Sequence, residues 1–172
     1  MPFRTNMTSQ TAGVIHLYNI DYAIGCGGWN HWADVKLVQS LLRLFYYDMA
    51  GGYEHDPPPS GEYEPPVIDG YCGPVTRRYL MHYQQQAHMR GEPVLIDGRF
   101  DPYRKGNRLS TYAKVQYQLE ALNFRCAKYC HFEKLDWFSN LMQRPYVAEH
   151  PDLVKALCCP PRTMAQQYCY RN

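Results

Sequence analysis

Apolar residues recur at helical spacing in the first third of the chain, shortly after a glycine-rich loop, GCGGWNHW. Asp34 follows this loop, and an acidic residue at such a place is typical of a helix N-cap or first turn. The apolar positions after it lie three or four residues apart, as one face of a helix requires. They are Val35, Val38, Leu41, Leu42 and Phe45. We therefore predict a first helix that ends near Tyr47.

A second helix is predicted behind a corner rich in glycine and proline, VIDGYCGP at residues 67–74. Pro74 suits the first helical turn, because the missing N–H of proline leaves no hydrogen bond unmade there. Apolar residues that share one helical face follow it. They are Val75, Tyr79, Leu80 and Tyr83. This helix should end near Met89.

Further helices are predicted in the second half of the chain. Ser110 is a suitable N-cap for a third helix, whose apolar positions are Ala113, Val115, Leu119 and Leu122. Another amphipathic helix is expected from Phe124 onward, and a short one over residues 150–157, with Pro151 in its first turn. Near the beginning of the chain, residues 13–24 mix β-branched and aromatic residues. That mixture favours a short strand or an extended arm.

The segment between the first two helices has a different composition. Residues 50–66, AGGYEHDPPPSGEYEPP, contain five prolines and three glycines. Such a segment cannot propagate a helix, and we predict a surface loop that is longer than a simple connection needs.

The corner before the second helix has a weak internal repeat. PPVIDGYCGP at residues 65–74 resembles EPVLIDGRFDP at residues 92–102, with the two Asp-Gly pairs 28 residues apart. In each copy the glycine can adopt a backbone conformation that is costly for other residues, and the aspartate can accept hydrogen bonds from N–H groups of its own turn. We assign a structural role to the residues of both corners. They are Asp69, Gly70, Gly73, Pro74, Asp97 and Gly98.

Composition and charge narrow the class of protein. The 172 residues suffice for one compact body, and 45% apolar with 20% charged residues is typical of a chain that folds. A net charge of +2 without a dense Lys/Arg block argues against a nucleic-acid partner. No apolar run approaches the ~18 residues of a membrane span. Polar residues interrupt the apolar N-terminal region, so we expect synthesis in the cytoplasm without a classical signal peptide.

Three sets of residues together resemble the bacterial peptidoglycan-binding domain. They are NHWADVKLVQSLL at residues 30–42, DGYCGPVT at 69–76 and the Tyr-Gln pair at 83–84. That family is similarly built of three helices, with Asp-Val-x-x-Val-Gln-x-Leu-Leu on the first. Asp-Gly-x-x-Gly-Pro-x-Thr opens its second helix, and another Asp-Gly corner precedes its third. The resemblance covers about residues 24–123 and implies a mainly α fold with a three-helix core.

The resemblance also implies a domain organisation. Residues 1–23 would be an N-terminal arm, residues 24–123 the binding domain with the inserted loop 50–66, and residues 124–172 a helical C-terminal extension packed on it. The chain departs from the family pattern in three respects. The proline-rich loop is much longer than the usual link, the second corner reads DGRFDP rather than DGxxGP, and the extension has no counterpart.

The function implied by the resemblance is non-catalytic binding of cell-wall peptidoglycan, through its glycan or its stem peptide, as a targeting or positioning module. Aromatic faces can stack on sugar rings, and arginine can pair with a carboxylate. The candidate ligand-binding residues are Trp29, Asn30, His31, Trp32, Tyr71, Arg77 and Arg78. The structural alternative is that the tryptophans pack over helix ends and that the arginines are solvated.

Two other functions remain open. The chain could be a structural or adaptor protein of a phage tail or of a contractile, type VI-like secretion machine, which would carry a protein made in the cytoplasm to the cell envelope. It could also be a metal-dependent wall hydrolase. His131 with Glu133, and His55 with Asp56, supply acid, base or ligand groups, but neither pair belongs to a known catalytic motif. We therefore predict a protein that is not an enzyme and has no cofactor.

The seven cysteines of the chain are an odd number, so intramolecular disulfides would leave one cysteine unpaired. Cys126 and Cys130 would share one helical face, next to His131, and offer soft ligands for zinc. The later cysteines, Cys158, Cys159 and Cys169, lack the paired spacing of a structural zinc site, although a disulfide between the two groups is conceivable. Reduced and mostly buried thiols, with no metal, are the prediction.

Overall fold

The computed structural model describes residues 1–9, 13–49, 56–61, 64–103, 115–132 and 136–159. About half of these residues are helical, and they form six α-helices and two small antiparallel sheets. The fold class is therefore mainly α, as the sequence predicts. No helix in these ranges is long and apolar enough to cross a bilayer.

An N-terminal hairpin opens the chain. Strand β1, Phe3–Ser9, pairs with β2, Gly13–Asn19, in a register that places Phe3 opposite Asn19. The sequence predicted only one strand or arm over residues 13–24, so β1 was missed and the predicted strand ends earlier. A separate two-residue strand, β3 at Ile24–Gly25, pairs instead with β4 at Arg99–Phe100.

Helix α1, Trp32–Arg43, forms the centre of the core. It continues as one π-helical turn, Leu44–Asp48, so the predicted end near Tyr47 is confirmed. The sequence predicted Asp34 as either the N-cap or a first-turn residue. It lies in the first turn, and His31 is the N-cap. Most residues of α1 are buried, because other elements pack around it.

Helix α2, Pro74–Met89, has the predicted bounds. Pro74 stands in its first turn, and Tyr79, Leu80 and Tyr83 of its predicted apolar face are buried. Val75, the fourth predicted position, is 42% exposed, because the buried stripe begins at Thr76 instead. Gly91, at φ 79°, ends the helix, with the N–H groups of Gly91 and Glu92 bonded to the carbonyls of His88 and Ala87.

Helix α3, Gln118–Phe132, corrects two predicted elements. The sequence separated a third helix through Leu122 from a fourth that began at Phe124, whereas one helix runs through both. The reason is that the buried positions Leu119, Leu122, Cys126 and Cys130 form one continuous face, with spacings of three and four residues. Ser110 and Ala113 lie outside the described residues, and Val115 precedes the helix.

The C-terminal part contains three short helices: α4 at Trp137–Gln143, α5 at Pro145–Ala148 and α6 at Pro151–Cys158. The short helix predicted over residues 150–157 is thus confirmed as α6, which packs on α1 and β1 through buried Leu153 and Leu157. The remainder of the tail, residues 160–172, lies outside the described residues.

The proline-rich segment between α1 and α2 is described at residues 56–61 and 64–66 and is not helical there. It contacts α2 closely, since the carbonyl of Pro57 accepts hydrogen bonds from His82 Nε2 at 3.0 Å and Gln86 Nε2 at 2.8 Å. The hydroxyls of Tyr47 and Tyr79 both donate to the carbonyl of Glu64. This segment therefore packs on α2 and on Tyr47 of the π-helical turn.

Candidate functional site

The glycine-rich loop that precedes α1 is held by one asparagine. Asn30, at φ 53°, accepts a hydrogen bond from the N–H of Gly25 at 2.7 Å through Oδ1. Its Nδ2 donates to the carbonyls of Gly25 and Gly28, at 3.2 and 2.9 Å. Both polar ends of this amide are thus engaged inside the loop. The structure places Asn30, a predicted ligand-binding residue, as the anchor of the loop.

Four aromatic rings follow one another along this loop. Trp29 lies 5.3 Å from Tyr22, Tyr22 lies 5.9 Å from His31, and His31 stacks on Trp32 at 5.8 Å between ring centroids. Trp29 is 80% exposed and Trp32 is 47% exposed. Tyr22 was not predicted as part of the site. Its N–H donates to the buried Asp34 carboxyl, whose pKa burial raises above its usual value.

The first Asp-Gly corner is fastened to α1 by the buried side chain of Gln39. Its Oε1 accepts from the N–H of Gly70 at 3.0 Å, and its Nε2 donates to Asp69 Oδ1 at 2.8 Å. Asp69 Oδ1 also accepts from the N–H of Tyr71 at 2.8 Å, as predicted for the turn. Gly70 has φ 78°, and a Cβ there would lie 2.8 Å from the carbonyl oxygen of Trp32. The corner thus has the positive φ and the turn hydrogen bond that the sequence predicts for it.

Tyr71 projects from the first corner and is 71% exposed. Its ring lies against Gly73, where a Cβ atom would come within 2.8 Å of the ring. Gly73 is therefore needed for close approach of the ring, since its own φ of −79° is open to any residue. Because Gly70 packs on the backbone of Trp32, the corner that carries Tyr71 lies against the first residue of α1. We call Trp29, Trp32 and Tyr71 the aromatic surface.

The second corner repeats the arrangement of the first with residues of α2. Gln84 Oε1 accepts from the N–H groups of Asp97 and Gly98, at 3.1 and 2.7 Å. Its Nε2 donates to Asp97 Oδ1 at 2.8 Å and to the carbonyl of Arg99 at 2.9 Å. Gly98 has φ 65°, which confirms the conformation predicted for both glycines.

The second corner also supports the glycine-rich loop. The N–H of Cys26 donates to the carbonyl of Gly98 at 3.0 Å, and Arg99 Nη1 donates to the carbonyl of Gly27 at 3.2 Å. Arg99 further pairs with Asp101 at 2.9 Å. The second corner and the glycine-rich loop thus form one hydrogen-bonded unit, and the first corner packs against it through Gly70 and Trp32.

The predicted arginines lie on the first turns of α2. Arg77 is exposed and its Nε donates to the carbonyl of Cys72 at 3.2 Å, which orients the guanidinium along the first corner. Arg78 is also exposed. Arg77 is thus bonded to the residue that follows Tyr71 in the first corner. Arg99, which the sequence did not single out, is a third guanidinium in this unit.

The cysteines divide into two groups. Cys72, Cys126 and Cys130 are buried, whereas Cys26, Cys158 and Cys159 are exposed, so the prediction of mostly buried thiols is correct for only half of the described cysteines. Cys169 lies outside the described residues. Of the exposed cysteines, Cys26 lies in the glycine-rich loop, and Cys158 and Cys159 lie at the end of α6. The six are free thiols rather than disulfides.

The described residues contain no cluster of three or more His, Cys, Asp or Glu side chains able to hold a metal ion. Cys126 and Cys130 share one face of α3, as predicted, but that face points into the core. His131 is exposed, and Asp56 pairs with Arg90. Glu133 and His55 lie outside the described residues.

Thiol reactivity should follow this division under native conditions. Burial raises the pKa of Cys130 to about 11 and that of Cys126 well above its usual range, which suppresses the reactive thiolate. We expect an alkylating reagent to modify Cys26, Cys158 and Cys159 at least ~10-fold faster than Cys126. Peptide mapping by mass spectrometry after timed labelling measures both rates, and labelling in denaturant is the control. Equal rates in the native protein would contradict the placement of Cys126.

Comparisons with protein-family models, with curated proteins and with solved structures found no match to this chain. The resemblance to the peptidoglycan-binding domain therefore rests on the motif residues themselves. In the structure these residues, Gln39, Gly70, Gln84 and Gly98 among them, build the two corners.

Proposed function

We propose that this protein is a non-catalytic module that binds bacterial peptidoglycan through the aromatic surface. The observation that carries the proposal is the exposure of three large rings, Trp29 at 80%, Tyr71 at 71% and Trp32 at 47%, on a hydrogen-bonded loop unit. Large aromatic side chains usually bury much of their surface in a core or an interface. Their exposure together therefore suggests a ligand that covers them.

Sugar rings suit such a surface. A pyranose presents a face of C–H groups that can pack on an aromatic ring, while its hydroxyl groups remain available to polar neighbours. Burial of apolar surface at each ring contributes on the order of 1 kcal/mol or more. The anchors Gln39, Asn30 and Gln84 fix the loops in advance, so binding costs little ordering of the backbone.

Charged groups at the border can recognise the anionic parts of the cell wall. Arg77 and Arg78 are exposed on the first turns of α2, and Arg77 is bonded to the first corner. A guanidinium pairs well with the carboxylate of a lactyl group or a stem peptide. Nearby carboxylates have structural partners, because Asp69 bonds to Gln39 and Asp97 bonds to Gln84. This arrangement favours binding over acid–base catalysis.

Cosedimentation with purified bacterial sacculi tests the proposal. We expect saturable binding by the wild type and a loss of about 10-fold in affinity for Trp29→Ala and for Tyr71→Ala, since each removes a central exposed ring. Met89→Ala is the matched control, because Met89 is 76% exposed but stands at the opposite end of α2 from Tyr71. Circular dichroism first establishes that all variants are folded.

Two outcomes would overturn the proposal. One is a wild-type protein that is folded yet does not sediment with sacculi. The other is an equal loss of binding in Met89→Ala and Tyr71→Ala, which would indicate nonspecific adhesion of exposed apolar groups.

A second candidate function is an adaptor protein in a phage tail or contractile secretion machine. It is favoured by a different set of exposed apolar side chains, on α2 and on the segment that leads to the second corner. They are Met81, Met89, Leu95 and Ile96, at 36%, 76%, 55% and 39% exposure. Exposed apolar side chains of this kind are frequent at protein interfaces. Absence of sacculus binding would make this candidate the better one.

A further inference from the structure

Lys36 connects the aromatic surface with helix α6. Its Nζ lies 5.0 Å from the centroid of the Trp32 ring, which is within the range of a cation–π contact. The same Nζ lies 3.3 Å from Nδ1 of His150 and 3.5 Å from Oδ2 of Asp152. The side chain is only 14% exposed, so it is held between these groups.

The chemistry of the lysine fixes the form of His150 in this contact. An ammonium group has donors but no acceptor, so Nδ1 of His150 must accept the hydrogen bond. This hydrogen bond therefore requires a neutral ring with its proton on Nε2. A second proton would convert Nδ1 into a donor and place a positive charge 3.3 Å from Lys36. Histidine is the side chain that gains this proton between about pH 5 and pH 8.

Other charges around His150 come from each element packed on α6. From α1 the facing group is Lys36, and from α6 itself it is Asp152 in the first turn. Glu149 precedes His150 in the chain, after α5, and its side chain is exposed. Arg4 of β1 contacts the opposite end of α6, at the carbonyl of Cys159. The Asp152 carboxylate attracts Lys36 and also a protonated His150. Acidification therefore weakens the contact between Lys36 and His150 but leaves the ion pair between Lys36 and Asp152.

Movement of Lys36 would be felt at the aromatic surface. The Lys36 stem and the Trp32 side chain both lie against Gly70, since a Cβ at that glycine would be 3.4 Å from Lys36 Cγ and 3.3 Å from Trp32 Cβ. Trp32 thus has the ammonium over its ring and the corner against its Cβ. A change in the ammonium position alters both the charge over the indole and the space beside it.

We propose that Lys36 is a positioning residue for Trp32, and that protonation of His150 weakens ligand binding at the aromatic surface through Lys36. The effect on binding rests on the proposed function, whereas the coupling of His150 to Trp32 does not need a ligand. The two parts can therefore be tested separately.

Fluorescence of Trp32 tests the coupling. In a Trp29→Phe/Trp137→Phe background, Trp32 is the only tryptophan, because the chain contains three. We expect its emission to differ between about pH 8 and about pH 5, the range in which histidine side chains generally change charge. His31 also stacks on Trp32, so the measurement is repeated with His31→Gln and with His150→Gln. The component due to His150 should persist in the first variant and disappear in the second.

Lys36→Met gives the decisive comparison, because methionine keeps most of the apolar stem and removes the charge. The His150 component should disappear in this variant if Lys36 carries the coupling. Its persistence in Lys36→Met, or an identical profile in wild type and His150→Gln, would overturn the proposal. Circular dichroism at both ends of the pH range shows whether each variant remains folded.

The binding part is measured with sacculi at about pH 5 and about pH 8. We expect the wild type to bind about two- to five-fold more weakly at the lower pH, which is the size of effect expected for repulsion between partly exposed charges. The variant His150→Gln should lose this difference. A difference that persists in His150→Gln would overturn the binding part. Failure of the wild type to bind at either pH would count against the proposed function and leave the fluorescence result standing.

Discussion

Replacing Gly25 with alanine is expected to lower the free energy of unfolding by about 3 to 5 kcal/mol. Gly25 has φ 99°, a conformation that an L-residue with a side chain rarely adopts. An added Cβ would also overlap the carbonyl oxygen of Gly98 and come within 3.0 Å of Arg99 Cα. These atoms belong to the backbone, so the clash cannot be relieved by a rotamer change. Denaturant unfolding followed by circular dichroism measures the effect.

Gly91→Ala is the matched control for Gly25→Ala. Gly91 also has a positive φ, 79°, but an added Cβ would meet no atom within 4 Å. It should therefore cost only the backbone term, about 1 kcal/mol. If both substitutions cost the same, the close contact between β3 and the second corner would be wrong. Loss of sacculus binding in Gly25→Ala, in the fraction that remains folded, would show that the corner also positions the aromatic surface.

Much of the local structure could be predicted from the sequence, because its causes are local. Proline at the first turn and glycine after the last residue set the bounds of α2. The positive φ values of Gly70 and Gly98 follow from Asp-Gly turn chemistry, which is legible in a few residues. The helical spacing of apolar residues likewise predicted the position of α1.

Elements that depend on distant partners were predicted less well. Strand β1 has a largely polar sequence, FRTNMTS, and it is a strand because it pairs with β2. The short pairing of β3 with β4 joins residues about 75 positions apart, which no local pattern reports. The start of α3 and its continuity past Phe124 depend on the face that packs against β2 and α1.

Buried amide side chains were the main feature that sequence reasoning missed. Asn19 bonds to both backbone groups of Tyr103, and Asn123 bonds to both backbone groups of Tyr18. At the corners, Gln39 and Gln84 each bond to an N–H and a carbonyl of different residues. Asparagine and glutamine are mostly exposed in proteins, so composition predicts a surface position for them. One sequence signal for the two buried glutamines was available. In both Val38-Gln39 and Tyr83-Gln84 an apolar residue precedes the glutamine, and an Asp-Gly pair follows later in the chain.

The sequence pointed to the aromatic residues of the candidate site but not to the residues that contact them. Trp29, Trp32 and Tyr71 came from the motif and its neighbours, and the structure brings their loops together. Tyr22 and Lys36 were missed, because each acts through a contact with a tryptophan that is formed only in the folded chain. Such contacts become predictable only once the loop and helix are placed in space.

The second large effect is expected for Gln84→Leu, which should lower the free energy of unfolding by about 3 to 4 kcal/mol. The substitution keeps a similar volume but removes the amide that bonds the second corner. It leaves the N–H groups of Asp97 and Gly98 without their Gln84 acceptor, and Gly98 is buried. A buried polar group that loses its partner costs about 1 to 3 kcal/mol, and here several lose theirs together. Thermal unfolding should show a midpoint lower by about 10 °C.

Gln85→Leu is the control, since the neighbouring glutamine of the same helix is exposed and the same atoms are changed. It should alter stability by less than about 0.5 kcal/mol. Equal effects of the two substitutions would mean that the Gln84 amide does not hold the corner. Because the N–H of Cys26 in the glycine-rich loop bonds to Gly98, a corner released by Gln84→Leu should also change Trp29 emission, whereas Gln85→Leu should not. If Gln84→Leu changes both stability and fluorescence while Gln85→Leu changes neither, the bonds between Gln84 and the Asp-Gly corner support the aromatic surface.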